Sequence, residues 1–234
     1  FSPNFLEYMD KVLAYYETDE DVIAVTGYAH PIALEYPKDT NIIKQKLSAS
    51  MWGTGFWVNK YEKVRQEITQ GILIQKFDSV RRKRFSGMLS AAVNDYLLSY
   101  TREDPLSSVL CRVTDVTVRI YLNVQNKCFI SPTISKARNW GYDGSGVSCP
   151  DVRFKNTSGK HADTYLFSEQ PIDQEQSFSL KISAAGQSKA YFSQLNRFEK
   201  RPISQKIKAY ARLWLLLLLG RNKYGKLLRY LKNV

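Results

Sequence analysis

The fold class is decided by the stretch Val22-Ile23-Ala24-Val25-Thr26-Gly27. This stretch is short, rich in β-branched residues and closed by a glycine, so it predicts a strand that is buried on both faces. Ahead of it, apolar residues recur every three or four positions from Phe5 to Tyr16, and Ser2-Pro3 is a typical helix start. A helix over Pro3–Tyr16 followed by a buried strand indicates an α/β protein.

Further elements follow along the chain. Helical spacing predicts helices over Tyr61–Gln70 and over Thr114–Asn126, the second capped by Thr114 or Asp115. Cys128–Pro132 predicts a short strand, and Phe178–Ile182 a possible edge strand. Small residues alternate with aromatic residues over Leu47–Val58 without helical period, which suits the wall of a pocket.

Composition excludes several classes of protein. The 234 residues are 44% hydrophobic, enough for a folded core. Three cysteines without a CxxC pair argue against a disulfide framework and favour a reducing compartment. The two histidines, His30 and His161, lie far from any cysteine in sequence, so we expect no structural zinc.

Positive charge is concentrated at the end of the chain. The net charge is +12, from 34 basic and 22 acidic residues. Ser193–Val234 holds eleven of the basic residues and a single acidic one, so the rest of the chain is nearly neutral. A nearly neutral body has no electrostatic footprint for a nucleic acid, and we expect no nucleic-acid partner.

This C-terminal tail has the pattern of an interfacial helix. From Ile203 to Leu218 its apolar residues recur at helical spacing between basic ones. Basic residues beside an apolar face with aromatic residues predict a helix that lies on an anionic membrane, and packing of the leucines on the body is the alternative. The longest apolar run, Leu213–Leu219, is too short to span a bilayer. The predicted membrane-binding residues are Lys206, Lys208, Arg212 and Trp214.

Four motifs occur in an order that resembles a known family. They are Ser2–Met9, Val25–Tyr28 with Pro31 close behind, Trp52–Trp57, and Asn139–Gly146. In this order they resemble the C-terminal half of bacterial family 2 glycosyltransferases of the GT-A type. The resemblance implies a partial GT-A (nucleotide-diphospho-sugar transferase) fold. Residues 1–150 would form its acceptor half, 151–202 a polar irregular extension, and 203–234 the basic amphipathic helical tail.

The resemblance also implies a reaction and a location. Such enzymes move a sugar from a nucleotide-sugar donor to a polysaccharide or lipid-linked acceptor, here in cell-surface glycan synthesis at the cytoplasmic, inner face of the membrane. Their acidic metal motif lies immediately before the Ser-Pro-x-Phe-Leu segment. The Mn²⁺ or Mg²⁺ ligands of the full-length enzyme would therefore precede Phe1, with none in this chain, which alone would be inactive. The alternative is a non-catalytic module that binds membrane surfaces.

Candidate acceptor-binding residues come from the tryptophan-glycine motif. Trp52 and Trp57 offer flat apolar faces of the kind that stack on a sugar, although both rings could equally belong to the core. Gly53 and Gly55 keep the backbone thin on either side of Thr54, which favours close approach of a ligand. The predicted acceptor wall is therefore Trp52, Gly53, Thr54, Gly55 and Trp57.

The catalytic base is expected to be a carboxylate that deprotonates the acceptor hydroxyl. Asp115 is the preferred candidate, because its segment resembles one beside the family's acceptor pocket; as a helix cap it would have a structural role instead. Asp143 is the second candidate, with an Asx-turn as its alternative role. Glu62 is the third.

A glycine-rich loop completes the candidate site. Its residues near substrate would be Asn139, Gly141, Gly144, Gly146 and Ser148, since glycines let backbone N–H groups approach a ligand. Related sequences often place a histidine where this chain has Ser148. Either water or His161 would take over the role of that histidine.

Overall fold

The computed structural model describes residues 1–29, 39–45, 50–71, 112–138 and 171–182, with single helical residues between 207 and 230. The helices are α1 (Phe5–Tyr16), α2 (Val58–Thr69) and α3 (Asp115–Gln125), and the strands are β1 (Val22–Thr26), β2 (Ile42–Gln45), β3 (Thr54–Phe56) and β4 (Cys128–Pro132). The chain divides into two compact units. The first comprises Phe1–Tyr61 and Asn126–Phe198, and the second Glu62–Gln125 and Glu199–Val234.

The first unit is built on a mixed sheet. Its strand order is β2-β4-β1-β3, with β1 and β4 parallel at the centre and an antiparallel strand on either side. All residues of β1 and β4 are buried. This sheet and its helices confirm the predicted α/β class at the level of secondary structure, while the GT-A identity stays a prediction.

One face of α1 completes the core of this unit. The residues Tyr8, Met9, Val12 and Tyr16 are spaced one, three and four residues apart and pack with the strands β1, β2 and β4. Burial of each such side chain stabilises the fold by about 1.5–3 kcal/mol. The helical period of the apolar residues therefore predicts which face of α1 is buried.

The ends of α3 follow from side-chain and backbone chemistry. Thr114 caps its start, because the Thr114 hydroxyl accepts the Thr117 N–H at 3.2 Å and the Thr117 hydroxyl accepts the Thr114 N–H at 2.8 Å. Asn126 ends the helix with a φ of 56°, in the left-handed region that asparagine tolerates. Of the two predicted caps, Thr114 is the one that the structure shows.

Most of the predicted elements agree with the structure. The strands predicted at Val22–Thr26 and Cys128–Pro132 are confirmed with the same bounds. The first helix begins at Phe5 instead of Pro3, and the second at Val58 instead of Tyr61. β2 and the short β3 were not predicted, because each is stabilised by a distant partner strand and carries little signal of its own.

The predicted edge strand at Phe178–Ile182 is wrong. Residues 171–182 form an irregular segment, which we call the strap. The strap backbone binds side chains of α1 and the residue Asn41, whose N–H donates to the Lys181 carbonyl at 3.1 Å. The Glu7 carboxylate accepts the Phe178 N–H at 2.6 Å, and Lys11 Nζ donates to the Phe178 carbonyl at 2.6 Å. Phe178 is buried, with its ring edge-on to that of Tyr8.

Candidate functional site

The strand ends bring separate motifs to one edge of the sheet. Because β1 and β4 are parallel neighbours, their carboxyl ends lie side by side. β3 runs antiparallel to β1, so the residues just before Thr54 lie at the same end. We call this region, made of residues 26–29, 50–53 and 133–137, the carboxyl edge. Ligands of open α/β sheets bind at such edges.

Backbone hydrogen bonds hold the three segments of the carboxyl edge together. The Gly27 N–H donates to the Gly53 carbonyl at 2.7 Å. The Gly27 carbonyl accepts the N–H groups of Lys136 and Ala137 at 2.6 and 3.1 Å. The Ser135 hydroxyl accepts the Ala29 N–H at 3.0 Å. The loops are therefore fixed relative to one another before any ligand arrives.

Gly53 has a backbone conformation that favours glycine. Its φ is +57°, and a Cβ atom there would lie 2.9 Å from the Phe1 ring and 3.0 Å from the Phe5 ring. These two rings stack with their centroids 4.3 Å apart. The thin backbone at Gly53 thus accommodates aromatic residues at the start of the chain.

Trp52 presents the aromatic surface of the carboxyl edge. It is half-buried, and its ring meets the buried Tyr28 ring edge-on with centroids 4.6 Å apart. The Thr26 hydroxyl donates to the Trp52 carbonyl at 3.2 Å, which fixes the backbone beneath the indole. A positioned, half-exposed indole at this edge is suited to stacking on an apolar sugar face.

A buried polar cluster around Lys136 supports the carboxyl edge. Lys136 is 3% exposed, and its Nζ atom binds the Asn4 side-chain oxygen at 3.1 Å and the Asp173 carboxylate. The Lys136 carbonyl accepts the Ser2 N–H at 2.8 Å, and the Asn4 amide also donates to Asp173 at 3.2 Å. The cluster therefore ties the chain start, the loop after β4 and the strap together.

The charge state of Asp173 follows from its partners. Burial acts to raise the pKa of Asp173, but the hydrogen bonds from Lys136, the Glu175 N–H and Asn4 outweigh burial and lower the pKa. Asp173 is therefore ionised at neutral pH and neutralises the buried ammonium group.

Trp57 lies at the opposite end of β3 from Trp52. It follows Phe56, which pairs with Ala24, whereas Trp52 lies beyond the pair of Thr54 and Thr26. Lys60 Nζ sits 4.0 Å from the centroid of the Trp57 ring, which packs against the core. The structure does not bring the two tryptophans together.

Lys60 has an unusual environment. It is 6% exposed, and its Nζ atom donates to the carbonyls of Tyr16, Asp19 and Val22 at 3.2, 2.8 and 3.0 Å. Burial lowers the pKa of Lys60. The ammonium group joins the end of α1 to the start of β1, and two of its three carbonyl partners, Tyr16 and Asp19, also accept a backbone N–H.

The two remaining residues of the predicted acceptor wall lie within β3. Gly55 pairs with Val25, and a Cβ atom at Gly55 would lie 2.6 Å from the Met9 side chain. Packing of α1 therefore uses the thin backbone at Gly55. Thr54 donates its hydroxyl proton to the Ser50 carbonyl at 2.7 Å, closing the turn that carries Trp52.

Two of the predicted bases belong to the second unit. Asp115 is exposed in the first turn of α3, beside the capping residue Thr114. Glu62 forms an ion pair with Arg65 at 2.6 Å on the exposed surface of α2. In the same unit, Gln125 donates to the Glu67 carboxylate at 2.5 Å. The catalytic role of Asp115 stays a prediction.

Several predicted residues lie outside the described part of the chain. They are Asp143, the loop residues Asn139, Gly141, Gly144, Gly146 and Ser148, the histidines His30 and His161, and the basic residues Lys206, Lys208 and Arg212. Trp214 is described and is helical and exposed.

No metal site forms among the described residues. Within the ranges given above, no three side chains of His, Cys, Asp or Glu come close enough to hold an ion. Cys128 is a buried free thiol. The carboxyl edge contains backbone and hydroxyl oxygens but no carboxylate. These residues therefore do not offer the acidic ligands that the implied metal would need.

Sequence reasoning missed the residues that organise the carboxyl edge. Lys136 and Asp173 are far apart in sequence, and nothing local marks them as a pair. One signal was available, since Ser135 and Lys136 follow the buried strand β4, where α/β sites usually form. Tyr28 was visible within a motif, but its contact with Trp52 was not.

Comparisons of this chain with models of protein families, with curated proteins and with solved structures found no match. The resemblance to family 2 glycosyltransferases therefore rests on the motifs themselves.

Proposed function

We propose that this chain is the acceptor half of a glycosyltransferase. The enzyme would transfer a sugar from a nucleotide-sugar donor to a polysaccharide or lipid-linked acceptor in the synthesis of cell-surface glycans. The acceptor would bind at the carboxyl edge, with Trp52 as the stacking platform.

The main support for the proposal is that segments of the motifs behind the family resemblance are hydrogen-bonded to one another at the carboxyl edge. Ser2 binds Lys136, Gly27 binds Gly53, and Lys136 with Ala137 binds Gly27. Three of the four motifs behind the resemblance thus touch, together with the segment that leads into the fourth, at Asn139. Motifs that were separate in sequence and meet where α/β sheets bind ligands support one shared site.

The chemistry assigns different tasks to the edge and to groups outside it. Trp52 would orient the acceptor, and correct orientation of a reacting hydroxyl contributes strongly to rate. A carboxylate would accept the proton of that hydroxyl. A divalent metal, with ligands before Phe1, would neutralise the leaving phosphates.

The proposed location is peripheral, at the inner face of the membrane. Among the described residues, no helix combines the length and the apolar character needed to cross a bilayer. The basic tail supports attachment to the surface, which is where a lipid-linked acceptor would be found.

A non-catalytic membrane module is the second candidate. The exposed apolar side chains of the tail favour it, because they would serve such a module equally well. The two candidates differ at the carboxyl edge, since only the glycosyltransferase requires glycan binding there.

Binding of oligosaccharides to the 234-residue chain tests the proposal. Saturation-transfer NMR on a panel of bacterial surface oligosaccharides should detect at least one binder, and Trp52→Ala should lower the transfer to that glycan at least about five-fold through loss of stacking.

Trp57→Ala is the matched control, because it removes the same side chain from the opposite end of β3. Circular dichroism confirms that each variant is folded. Loss of binding in Trp57→Ala alone, or no binder in the panel for the wild-type chain, contradicts an acceptor site at the carboxyl edge.

A further inference from the structure

Part of the C-terminal tail shows large apolar side chains to solvent. Ile207, Trp214, Leu215 and Leu218 are helical and 62%, 63%, 41% and 74% exposed. These are residue types that soluble folds usually bury.

Their spacing places these residues on one side of a helix. Ile207, Ala211, Trp214, Leu215 and Leu218 are separated by one, three or four positions, the pattern of one helix face, and Ala211 is exposed as well. We call these five residues the apolar stripe. A contiguous exposed apolar surface of this kind marks an interaction site.

The later part of the tail behaves differently. Tyr224 is 1% exposed and Leu227 half-buried, whereas Lys223 and Lys226 are exposed. The tail therefore has a buried anchor at Tyr224, ahead of which the apolar stripe remains uncovered. Tyr230, further along the tail, is again 70% exposed, so the apolar exposure is interrupted at Tyr224 and Leu227.

We infer that the apolar stripe inserts into the interface of an anionic lipid bilayer, with the basic residues of the tail bound to lipid headgroups. The charge of the tail favours a lipid bilayer over a second copy of the chain as the partner of the apolar stripe. Two copies of Ser193–Val234, each with eleven basic residues and one acidic residue, would repel one another, whereas an anionic leaflet attracts both. The inference specifies the peripheral location proposed above and does not depend on transferase activity.

Co-sedimentation of the 234-residue chain with vesicles tests the inference. The chain should bind vesicles of phosphatidylcholine with phosphatidylglycerol and bind pure phosphatidylcholine much less. Binding should fall as salt rises from about 0.1 M to about 0.5 M, because salt screens the attraction to headgroups. Tryptophan emission should shift to the blue on binding, and Trp214→Phe should remove that shift.

Single substitutions separate the apolar stripe from the rest of the chain. Leu218→Gln should lower the partition coefficient at least about ten-fold, because an inserted apolar side chain is lost. Leu6→Gln is the matched control, since Leu6 is also a leucine on a helix and is 72% exposed. It should leave binding unchanged. Lys223→Glu with Lys226→Glu should weaken binding to anionic vesicles by about five-fold or more for each site.

These experiments have outcomes that overturn the inference. A chain that ignores anionic vesicles overturns it, and so does equal weakening by Leu6→Gln and Leu218→Gln. A dimer in sedimentation analysis that Leu218→Gln dissociates would show that a second copy covers the stripe instead. Truncating the tail is avoided because it would also remove the buried Tyr224. Transferase and glycan-binding assays remain separate readouts, so failure of the proposed function would leave this result intact.

Discussion

A single residue, Lys136, connects most of the elements behind the carboxyl edge. Its backbone binds Gly27 and Ser2, and its side chain binds Asn4 and Asp173. A buried ammonium group is costly unless a paired charge neutralises it. The geometry of the edge therefore depends on an ion pair whose partners are distant in sequence.

Removing one partner of this pair should destabilise the chain strongly. Lys136→Met and Asp173→Leu should each lower the free energy of unfolding by about 3 kcal/mol, because the Asp173 variant leaves an uncompensated buried charge and the Lys136 variant a partly buried one. The double variant should lose clearly less than the two single losses combined, since neither charge remains. Urea unfolding measures all three, and simple additivity would show that the pair is not coupled.

The pair also predicts a dependence on pH. The pKa of Asp173 is lower in the folded chain than its ordinary value, so its contribution is fully present above that ordinary value. The contribution is lost as the pH falls through the lowered pKa. The difference in unfolding free energy between the wild type and Asp173→Asn should therefore shrink below about pH 4. A difference that stays constant down to pH 2 would contradict this assignment.

Lys60 gives a second test at the residue scale. Lys60→Met keeps most of the apolar stem but removes the ammonium donor that three carbonyls share. Two of them keep a backbone N–H, so the change should cost about 1–2 kcal/mol of stability. Lys63→Met, at an exposed position of the same helix, should change stability by less than about 0.5 kcal/mol. Similar melting temperatures for the two variants would show that the carbonyl contacts contribute little.

Among the elements, those with strong local signals were predictable from sequence. α1 has a regular apolar period, and β1 and β4 are continuous apolar runs closed by glycine or proline. β2 and β3 are short and are defined by pairing with β4 and β1, so their formation depends on contacts that local sequence does not encode. The strap was misjudged for the same reason, because its backbone binds side chains of α1 and Asn41, which are distant in sequence.

The candidate site was predictable only in its motifs. Trp52 and Gly53 were singled out and lie at the carboxyl edge, whereas Trp57 was grouped with them and lies at the other end of β3. The two rings are separated by the three residues of β3 and by the turn at Trp52 and Gly53. Lys136 and Asp173 were missed because a pair distant in sequence leaves no local pattern.

The turn before β3 makes a prediction at this scale. Gly53→Ala should cost about 1–2 kcal/mol, because an alanine at a φ of +57° is strained and its Cβ meets the rings of Phe1 and Phe5. Gly53→Val should cost more, since β-branching increases the strain. Urea unfolding measures both, and a neutral Gly53→Ala would contradict the backbone conformation described here.

In the whole molecule, most of the net positive charge and the candidate acceptor site lie in different parts of the chain. The basic tail carries nearly all of the net charge, and the carboxyl edge is built from a nearly neutral body. Membrane attachment and glycan binding would then be independent properties, which single substitutions in either region should change separately.

The chain alone should bind nucleotide sugars weakly. The family resemblance implies that the residues that bind the nucleotide and the metal precede Phe1. Calorimetry with Mn²⁺ and several nucleotide sugars should therefore detect no tight binding to the 234-residue chain. Tight, metal-dependent binding would place the donor site within these residues and contradict the division into donor and acceptor halves.

The acceptor role of the carboxyl edge is tested by comparing two activities in a protein that carries the implied donor half as well. Release of nucleoside diphosphate is measured with Mn²⁺ and a nucleotide sugar, with and without the glycan acceptor. Trp52→Ala should reduce acceptor-stimulated release at least about ten-fold and change acceptor-independent hydrolysis less than about two-fold, because only the acceptor contact is lost. Equal losses in both activities, or no release from any nucleotide sugar by the wild-type protein, would contradict an acceptor site at the carboxyl edge.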